Sequence, residues 1–358
     1  MLDDNRVLSI SPFSLAKREK QAFLAEQLHI LTQHHYTHCP EYKKILDALR
    51  FNVSTVKSCE QIPFLPVRLF KEFDLMSIPR ENIVKTMTSS GTTGQQVSRI
   101  YLDKETSAGQ TKVLTKIISS FIGSSRLPMI ILDSAALLKN REMFSARGAG
   151  ILGFSIFARD RIFGLTDNME LDIEGINDFL EKHQGEEILL FGFTYIIWRH
   201  FYQELRRAGF HPDLSKGIMI HGGGWKKLDE QSVPPENFKT AMRQACGITR
   251  VYEYYGMVEQ TGSVYMECEC GYLHASVFSD VIIRRPADFS VAQPGESGII
   301  EVISILPQSY PGHVLLTEDE GVIVGEDDCA CGRKGKYFRV RGRLKDAEIR
   351  GCSDTYAG

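Results

Sequence analysis

Four cysteines of this chain fall in two short units that share one pattern. Cys268 and Cys270 lie in ECECGYLH, which also contains His274, and Cys329 and Cys331 lie in DDCACGRKG. Thiolates are soft ligands that favour Zn²⁺, and alternate residues of a strand point to one face, so each unit can present two sulfurs to one ion. The spacing therefore predicts a structural Zn²⁺ site formed by the four cysteines. Two unrelated buried pairs, or a redox pair, are the alternatives.

A stretch of small hydroxylated residues and glycines, KTMTSSGTTGQQ, has the composition of a phosphate-binding loop. Glycine lets backbone N–H groups turn inward, and each hydroxyl adds a donor without bulk. It is not a Walker A loop, because no Lys-Ser/Thr pair follows the second glycine. A flexible surface loop is the alternative. The candidate residues are Thr88, Ser89, Ser90, Gly91, Thr92, Thr93 and Gly94.

Two further stretches place glycines at the ends of predicted strands. In HGGGWKK the missing side chains permit close approach by a flat ligand, or simply a sharp turn. In YEYYGMVEQTG an aromatic ring can stack on a base, and a carboxylate can hold a divalent cation beside phosphates. A buried strand end with a solvated glutamate is the alternative there. The candidate residues of both stretches are Gly222, Gly223, Gly224, Tyr255, Gly256 and Glu259.

Two later segments contain single residues with possible chemical roles. Asp319 follows a predicted strand in LLTEDEG, where its carboxylate can accept hydrogen bonds from ribose hydroxyls or serve only as surface. The segment GRLKDAEIRGCSD contains Arg343 and, close to the end of the chain, Cys352. Positive charge enriches the reactive thiolate of a cysteine, so the neighbouring Arg350 favours a nucleophilic Cys352. A free cysteine in a terminal tail is the alternative.

Apolar runs alternate with helical stretches through the middle of the chain. The predicted strands are PMIILD, EEILLFGF, KGIMIHGGG and RVYEYYG, and the predicted helices cover 12–50, 105–121, 173–184 and 194–208. This alternation is typical of α/β folds, so we predict doubly wound α/β subdomains with parallel strands, followed by a small β-rich subdomain. The predicted segments are an N-terminal helical region (1–80), an α/β nucleotide-binding core (81–263), a β-rich subdomain with the metal site (264–342) and a C-terminal segment with Cys352 (343–358).

The composition favours a soluble globular protein, with 43% hydrophobic and 24% charged residues. A net charge of −3 does not indicate a nucleic-acid-binding protein, although residues 333–350 are locally basic. That basic segment fits a solvated face, an acidic partner or phosphate groups. No secretory signal or membrane-spanning stretch is recognisable, so we expect a cytoplasmic protein with reduced thiols.

In order and spacing, four of these stretches resemble the successive motifs of the acyl-adenylate-forming superfamily of acyl-CoA ligases. They are the loop at 88–94, YYGMVE at 254–259, the Asp319 stretch and GRLKDAEIRG at 342–351. The resemblance implies the fold of the large N-terminal domain of these enzymes, with ATP and Mg²⁺ as cofactors. It also implies that the loop grips the ATP phosphates and that Tyr255 stacks on adenine. Glu259 would then coordinate Mg²⁺, Asp319 would bind ribose, and Arg343 would lead into a hinge.

More narrowly, FLPVRLFKEFDL, the chain length and the terminal RGCSD resemble the acyl-protein synthetases of bacterial luminescence. That resemblance implies ATP-dependent activation of a long-chain fatty acid as an acyl-adenylate, transfer of the acyl group to Cys352, and delivery to a partner acyl reductase.

Three features depart from the superfamily pattern. Gln96 and Val97 replace the Pro-Lys that often follows the loop, and Val258 replaces a threonine that often precedes the glutamate. Most of the superfamily's C-terminal domain, with its lysine, is also expected to be missing. Two alternatives stay open: an acyl- or aryl-CoA ligase of the same superfamily, and a non-enzymatic, zinc-stapled module that binds a nucleotide or a partner.

Overall fold

The structure divides into two units, each built around its own strands. The computed structural model describes residues 4–55, 58–89, 96–138, 146–225 and 232–344. Within these ranges, the first unit contains the residues up to 89, 96–121 and 256–344, and the second contains 122–225 and 232–255. The four segments predicted from the sequence stay a proposal about domain organisation.

The helices and strands have the following bounds. The helices are α1 (Asp4–Ser9), α2 (Lys17–His38), α3 (Pro40–Ala48), α4 (Leu69–Glu72), α5 (Lys104–Ile122), α6 (Ala146–Phe154), α7 (Ile173–Lys182), α8 (Thr194–Ile196), α9 (Gln203–Ala208) and α10 (Pro235–Cys246). The strands are β1 (Leu65–Pro66), β2 (Lys85–Thr88), β3 (Arg99–Leu102), β4 (Leu127–Ser134), β5 (Ala158–Leu165), β6 (Leu189–Phe193), β7 (Ile218–Gly222), β8 (Arg250–Tyr255), β9 (Tyr265–Glu267), β10 (Leu273–His274), β11 (Ser279–Arg284), β12 (Ser297–Ser304), β13 (Val314–Glu326) and β14 (Lys336–Arg343).

The second unit is a parallel sheet in the order β5-β4-β6-β7-β8. Because crossovers between parallel strands are right-handed, the connection from β4 to β5 runs on one face and the later connections run on the other. This arrangement agrees with the core, where one hydrophobic cluster joins α7, the α8–α9 region and α10 to one face of the sheet. Its members include Ile176, Phe201, Met219, Phe238 and Met242. The doubly wound α/β fold predicted from the sequence is confirmed.

The strand order of this sheet reverses between β4 and β6. In doubly wound sheets, ligands bind in the crevice at the carboxyl ends of the strands where the order reverses. Phe193 ends β6 and Ser134 ends β4, so both lie at that edge of the sheet. The topology therefore marks this edge as the ligand-binding side of the second unit.

The first unit contains the β-rich part that the sequence predicts. Its strands pair antiparallel in the order β11-β12-β13-β14-β10-β9, and β1 joins β13 in parallel. Strands β2 and β3 form a separate hairpin. A buried charge cluster attaches α2 to this sheet, since Asp280 contacts Lys20 at 3.5 Å and Lys336 at 2.8 Å.

Two predicted helices are interrupted. The helix predicted over 12–50 is two helices, because Cys39 precedes Pro40 and adopts an extended conformation, which a following proline favours. The helix predicted over 194–208 contains a π-helical segment, Ile197–Tyr202, between α8 and α9.

None of the helices in the described ranges combines the length and apolar character that crossing a bilayer requires.

Candidate functional site

Strands β2 and β3, which flank the Ser/Thr/Gly loop in the sequence, pair as a hairpin in the first unit. Thr88 pairs with Arg99 at the end of this hairpin. The Ser89 N–H donates to the Ser98 carbonyl oxygen at 3.2 Å, and the Ser98 N–H donates to Ser89 Oγ at 2.9 Å. These two bonds hold the two ends of the loop together. The other candidate residues, Ser90, Gly91, Thr92, Thr93 and Gly94, lie outside the described residues, and their role stays a prediction.

Glu259 lies in a short 3₁₀ turn, Val258–Gln260, and its side chain is buried. Burial raises the pKa of the Glu259 carboxyl, and the nearby Ser98 hydroxyl opposes that shift. Ser98 is itself fully buried, and its Oγ makes no hydrogen bond of ordinary geometry within the described residues. Ser98 therefore brings the base of the predicted phosphate loop next to the predicted magnesium ligand.

Hydrogen bonds to the backbone fix the segment that carries Glu259. The Tyr310 hydroxyl donates to the Glu259 carbonyl oxygen at 2.9 Å. The Gln260 side chain donates to the carbonyl oxygens of Val302 and Gly312 at 3.1 and 2.8 Å. Because these donors are buried and hydrogen-bonded, they hold the turn that presents the carboxylate. No sequence motif marks Ser98 or Tyr310, since each meets Glu259 only through the fold, and the role of Gln260 depends on its distant partners Val302 and Gly312.

Asp319 and Arg343 face each other across β13 and β14. Arg343 Nε lies 3.5 Å from Asp319 Oδ1, and Arg343 Nη2 lies 3.6 Å from Glu318 Oε2. Glu318 and Arg343 also act on the Glu259 pKa, in opposite directions, so these charged groups share one electrostatic neighbourhood. The prediction that Asp319 lies in a loop after a strand is wrong. It lies within β13, beside an irregularity in the pairing with β14 at Glu320 and Gly321.

In the second unit, Gly222 and Gly223 lie at the carboxyl end of β7 against aromatic rings. A Cβ at Gly222 would meet both a ring carbon and the carbonyl oxygen of Tyr254 at 2.7 Å, and one at Gly223 would meet Phe193 at 2.9 Å. Gly223 and Gly224 both have positive φ angles, 87° and 62°. Glycine is therefore required for this turn, because Tyr254 and Phe193 occupy the space that a Cβ at Gly222 or Gly223 would need.

The remaining nucleotide candidates follow directly in the chain. Tyr255 is the last residue of β8, half-buried, and the exposed Gly256 comes after it. The roles predicted for Tyr255, Gly256 and the three glycines stay predictions. Tyr254, which the sequence analysis did not select, packs on Phe154 and Phe191 with ring centroids 5.2 and 6.3 Å apart.

The predicted metal ligands lie in the β-rich part of the first unit, in the turns that follow β9 and β13. Cys268, Cys329 and Cys331 come together with His274, and one donor atom from each of the four lies within 4.8 Å of the others. Cys270 is not a member of this group, because β9 ends at Glu267 and the chain turns at residues 268–271 instead of continuing as a strand. Cys352, the predicted nucleophile, lies outside the described residues.

Comparison with known proteins is consistent with this architecture. The family described as "Acyl-protein synthetase, LuxE" matches residues 2–357. A long-chain-fatty-acid–luciferin-component ligase of Vibrio harveyi is 21% identical over 98% of this chain and 91% of its own length. A phenylacetate-coenzyme A ligase of Thermus thermophilus is 22% identical over 94% of this chain and 73% of its own length.

The fold has solved counterparts among ligases. The crystal structure of a 2-hydroxyisobutyryl-CoA ligase in an open conformation superimposes with a TM-score of 0.72, at 15% identity, over 93% of this chain and 72% of that one. At that identity the likeness shows a shared fold. The match over nearly the whole sequence shows the family, and the chain belongs to the acyl-protein synthetase (LuxE) family of ligases.

Proposed function

We propose that this chain uses ATP to activate a fatty acid as an acyl-adenylate and then transfers the acyl group to a cysteine thiol. The observation that carries the proposal is the family match over residues 2–357, in a chain whose buried Glu259 adjoins the base of the Ser/Thr/Gly loop. The relative in Vibrio harveyi is named for a long-chain fatty acid, which supports that substrate class. The family assignment does not support the non-enzymatic module considered from the sequence.

In the first half-reaction the fatty-acid carboxylate attacks the α-phosphorus of ATP, and pyrophosphate leaves. Glu259 suits the Mg²⁺ that such a reaction uses, because it is a buried carboxylate that no cation of the described residues pairs with. Mg²⁺ bound there would neutralise phosphate charge as the leaving group develops. The loop at 88–94 would donate hydrogen bonds to the phosphates.

Asp319 is the residue proposed to bind the ribose, and Tyr255 is the residue proposed to bind the adenine. Asp319 lies within reach of Arg343, so its carboxylate is oriented to accept hydrogen bonds from ribose hydroxyls. Gly222, Gly223 and Gly224 are proposed to let the backbone come close to a planar base, and Tyr255 is the proposed stacking residue for adenine.

Cys352 is the proposed acceptor of the acyl group in the second half-reaction. Its thiolate attacks the acyl carbonyl, a thioester forms, and AMP leaves with the bonding electrons. Arg350 lies two positions before it in the sequence and favours the thiolate. The thioester would then be handed to a partner acyl reductase. A structural Zn²⁺ near the cysteines of the first unit is a separate part of this proposal.

Intact-protein mass spectrometry tests the acyl transfer. The wild type and Cys352→Ser are incubated with ATP, Mg²⁺ and tetradecanoic acid, and hydroxylamine is then added. We expect the mass of one acyl group on the wild type, removed by hydroxylamine and absent from the variant. An adduct that persists on Cys352→Ser would place the acceptor elsewhere.

A second candidate function is an acyl- or aryl-CoA ligase, which the similarity to the phenylacetate-coenzyme A ligase favours. Pyrophosphate release measured with and without coenzyme A separates the two functions. Release that requires coenzyme A, together with formation of free acyl-CoA, would support the CoA ligase. Release without coenzyme A, accompanied by an acyl group on the protein, supports the acyl-protein synthetase.

A further inference from the structure

We propose that the cysteine-rich end of the first unit is a closed zinc site with three thiolates and one imidazole. Its ligands are Cys268, His274, Cys329 and Cys331, and Cys270 is a free thiol beside it. This set replaces the four-cysteine site that the sequence predicts. It does not depend on acyl transfer, since a protein inactive in that reaction can still bind the metal.

The separations of the donor atoms fit one tetrahedral ion. Cys268 Sγ lies 3.8 Å from Cys329 Sγ, and Cys331 Sγ lies 3.5 Å from His274 Nε2. Zn²⁺ with ordinary bond lengths of about 2.3 Å to sulfur and about 2.0 Å to nitrogen spaces two sulfurs about 3.8 Å apart, and a sulfur and a nitrogen about 3.6 Å apart. Both measured separations match the edges of that tetrahedron. All four donor atoms lie within 4.8 Å of one another, so a single ion can reach the whole set.

The backbone forms the same turn at both cysteine units. The Gly271 N–H donates to the Cys268 carbonyl oxygen at 2.9 Å, and the Gly332 N–H donates to the Cys329 carbonyl oxygen at 3.0 Å. Both glycines have positive φ angles, 76° and 81°. In the turn at residues 268–271 the Cys270 N–H also donates to Cys268 Sγ at 3.4 Å, a bond that favours the thiolate form. Two matched turns thus each bring sulfur to the site.

His274 completes the set because β10 pairs with both β9 and β14. His274 lies opposite Met266 on one side and Tyr337 on the other. Its ring stacks on Tyr337, with centroids 5.5 Å apart and an interplanar angle of 23°, and meets the edge of Phe13 at 6.2 Å. Aromatic contacts therefore set the ring orientation, and His274 Nδ1 has no hydrogen-bond partner among the described residues.

The surroundings match the charge and the accessibility of a structural site. Zn²⁺ with three thiolates and a neutral imidazole carries one net negative charge, and Arg333 lies directly beside the second cysteine unit in the sequence. The Arg333 guanidinium also lies 2.6 Å from Glu269 and 4.1 Å from the centre of the Phe121 ring. Cys268, His274 and Cys329 are buried, which suits a closed structural site and leaves no open coordination position for catalysis.

Cys270 lies on the exposed side of the site. It borders an open cavity of about 610 Å³ together with Phe13, Arg333 and the half-buried Cys331. The Cys270 thiol is partly exposed there and lies outside the group of four donors. A ligand set with Cys270 therefore requires the turn at 268–271 to be rebuilt, whereas the set with His274 requires no rearrangement.

Metal analysis of purified variants tests the ligand set. Inductively coupled plasma mass spectrometry measures zinc and iron per chain for the wild type, His274→Ala, His274→Cys and Cys270→Ser. We expect about one zinc per chain in the wild type, in the matched control Cys270→Ser and in His274→Cys, which restores four ligands, and a loss of at least tenfold in His274→Ala. Zinc retained in His274→Ala but lost in Cys270→Ser would overturn the proposal, as would iron or no metal in the wild type.

Thiol labelling of the wild-type protein gives a test that does not depend on variants folding. Iodoacetamide is added before and after a zinc chelator, and peptide mass spectrometry identifies the labelled cysteines. We expect Cys270 to be labelled in both samples, and Cys268, Cys329 and Cys331 to be labelled only after chelation. Protection of Cys270 before chelation, or equal labelling of all four cysteines, would contradict the proposed site.

Discussion

His221 makes the stability of the second unit depend on pH. The ring is buried, its Nδ1 shares a 2.9 Å hydrogen bond with Thr194 Oγ1, and its Nε2 has no partner among the described residues. Burial lowers the pKa of His221 from 6.5 to about 3, because the charged ring cannot be solvated there. The folded state therefore keeps the ring neutral, whereas the unfolded chain takes up a proton near pH 6.5. Stability from this group is fully present above pH 6.5 and is lost as the pH falls toward 3.

The size of the effect follows from that pKa difference. Between the two values the unfolded state binds one more proton, so the free energy of unfolding falls by about 1.4 kcal/mol per pH unit for this group. From pH 7 to pH 4 the loss is about 3 kcal/mol, since the unfolded state is only partly protonated near 6.5. The substitution His221→Asn keeps a group that can bond to Thr194 and removes the titration. Between pH 7 and pH 4 the variant should therefore lose about 3 kcal/mol less stability than the wild type does.

Urea unfolding followed by tryptophan fluorescence is a suitable assay. Both tryptophans of the chain, Trp198 and Trp225, lie in one aromatic cluster with Phe238, whose ring centre is 4.6 Å from that of His221. The signal therefore reports on the part of the second unit that contains the histidine. His211→Asn, at an exposed position of the same unit, is the control and should follow the wild type. Identical pH slopes for the wild type and His221→Asn would refute the reasoning and show that the ring is charged or hydrated when folded.

Three further substitutions test other parts of the structure. Glu259→Gln should lower magnesium-dependent pyrophosphate release by about 100-fold or more while the circular dichroism spectrum stays unchanged; normal release would remove Glu259 from the proposed site. Gly222→Ala should cost about 1–3 kcal/mol in urea unfolding, because its Cβ would meet the backbone oxygen of Tyr254 at 2.7 Å; an unchanged midpoint would show that β8 can shift. Arg284→Met should destabilise by about 3–5 kcal/mol, because it leaves the buried Glu301 without the partner that now lies 2.7 Å away. The double substitution with Glu301→Leu should recover most of that loss in thermal unfolding, and no recovery would mean that the pair also holds its neighbours in place.

The parallel sheet could be predicted because three of its strands are buried on both faces. Such strands are nearly continuous apolar runs, and β4, β6 and β7 each contain one. Strand β5 was missed. It lies at the edge of the sheet, and its sequence ARDRIFGL has three consecutive charged residues near its start, which shorten the apolar run. Only the pairing pattern of the folded sheet identifies β5 as a strand.

The proposed zinc ligands show where sequence spacing stops being informative. Cys-x-Cys places two sulfurs on one face only if the segment is a strand, and the positive φ of Gly271 makes it a turn. The imidazole that replaces the missing thiol comes from β10, and its distance from the other ligands depends on strand register. Histidine six positions after a cysteine could have been considered as a ligand, but its spacing does not distinguish it from a core residue.

One hairpin connects the two sites of the first unit. Strands β13 and β14 are joined by a turn that contains Cys329 and Cys331. At the far end of their pairing, Asp319 lies opposite Arg343. Pairing between these strands is irregular at two points, so their register is not set by a continuous ladder alone. A metal bound at the turn fixes one end of the hairpin to β9 and β10, and that constraint limits how far β14 can slide along β13. The proposed zinc site would therefore support the ribose-binding pair at the far end of the hairpin without contacting substrate, which explains why a ligase of this kind would retain a closed metal site with no catalytic position.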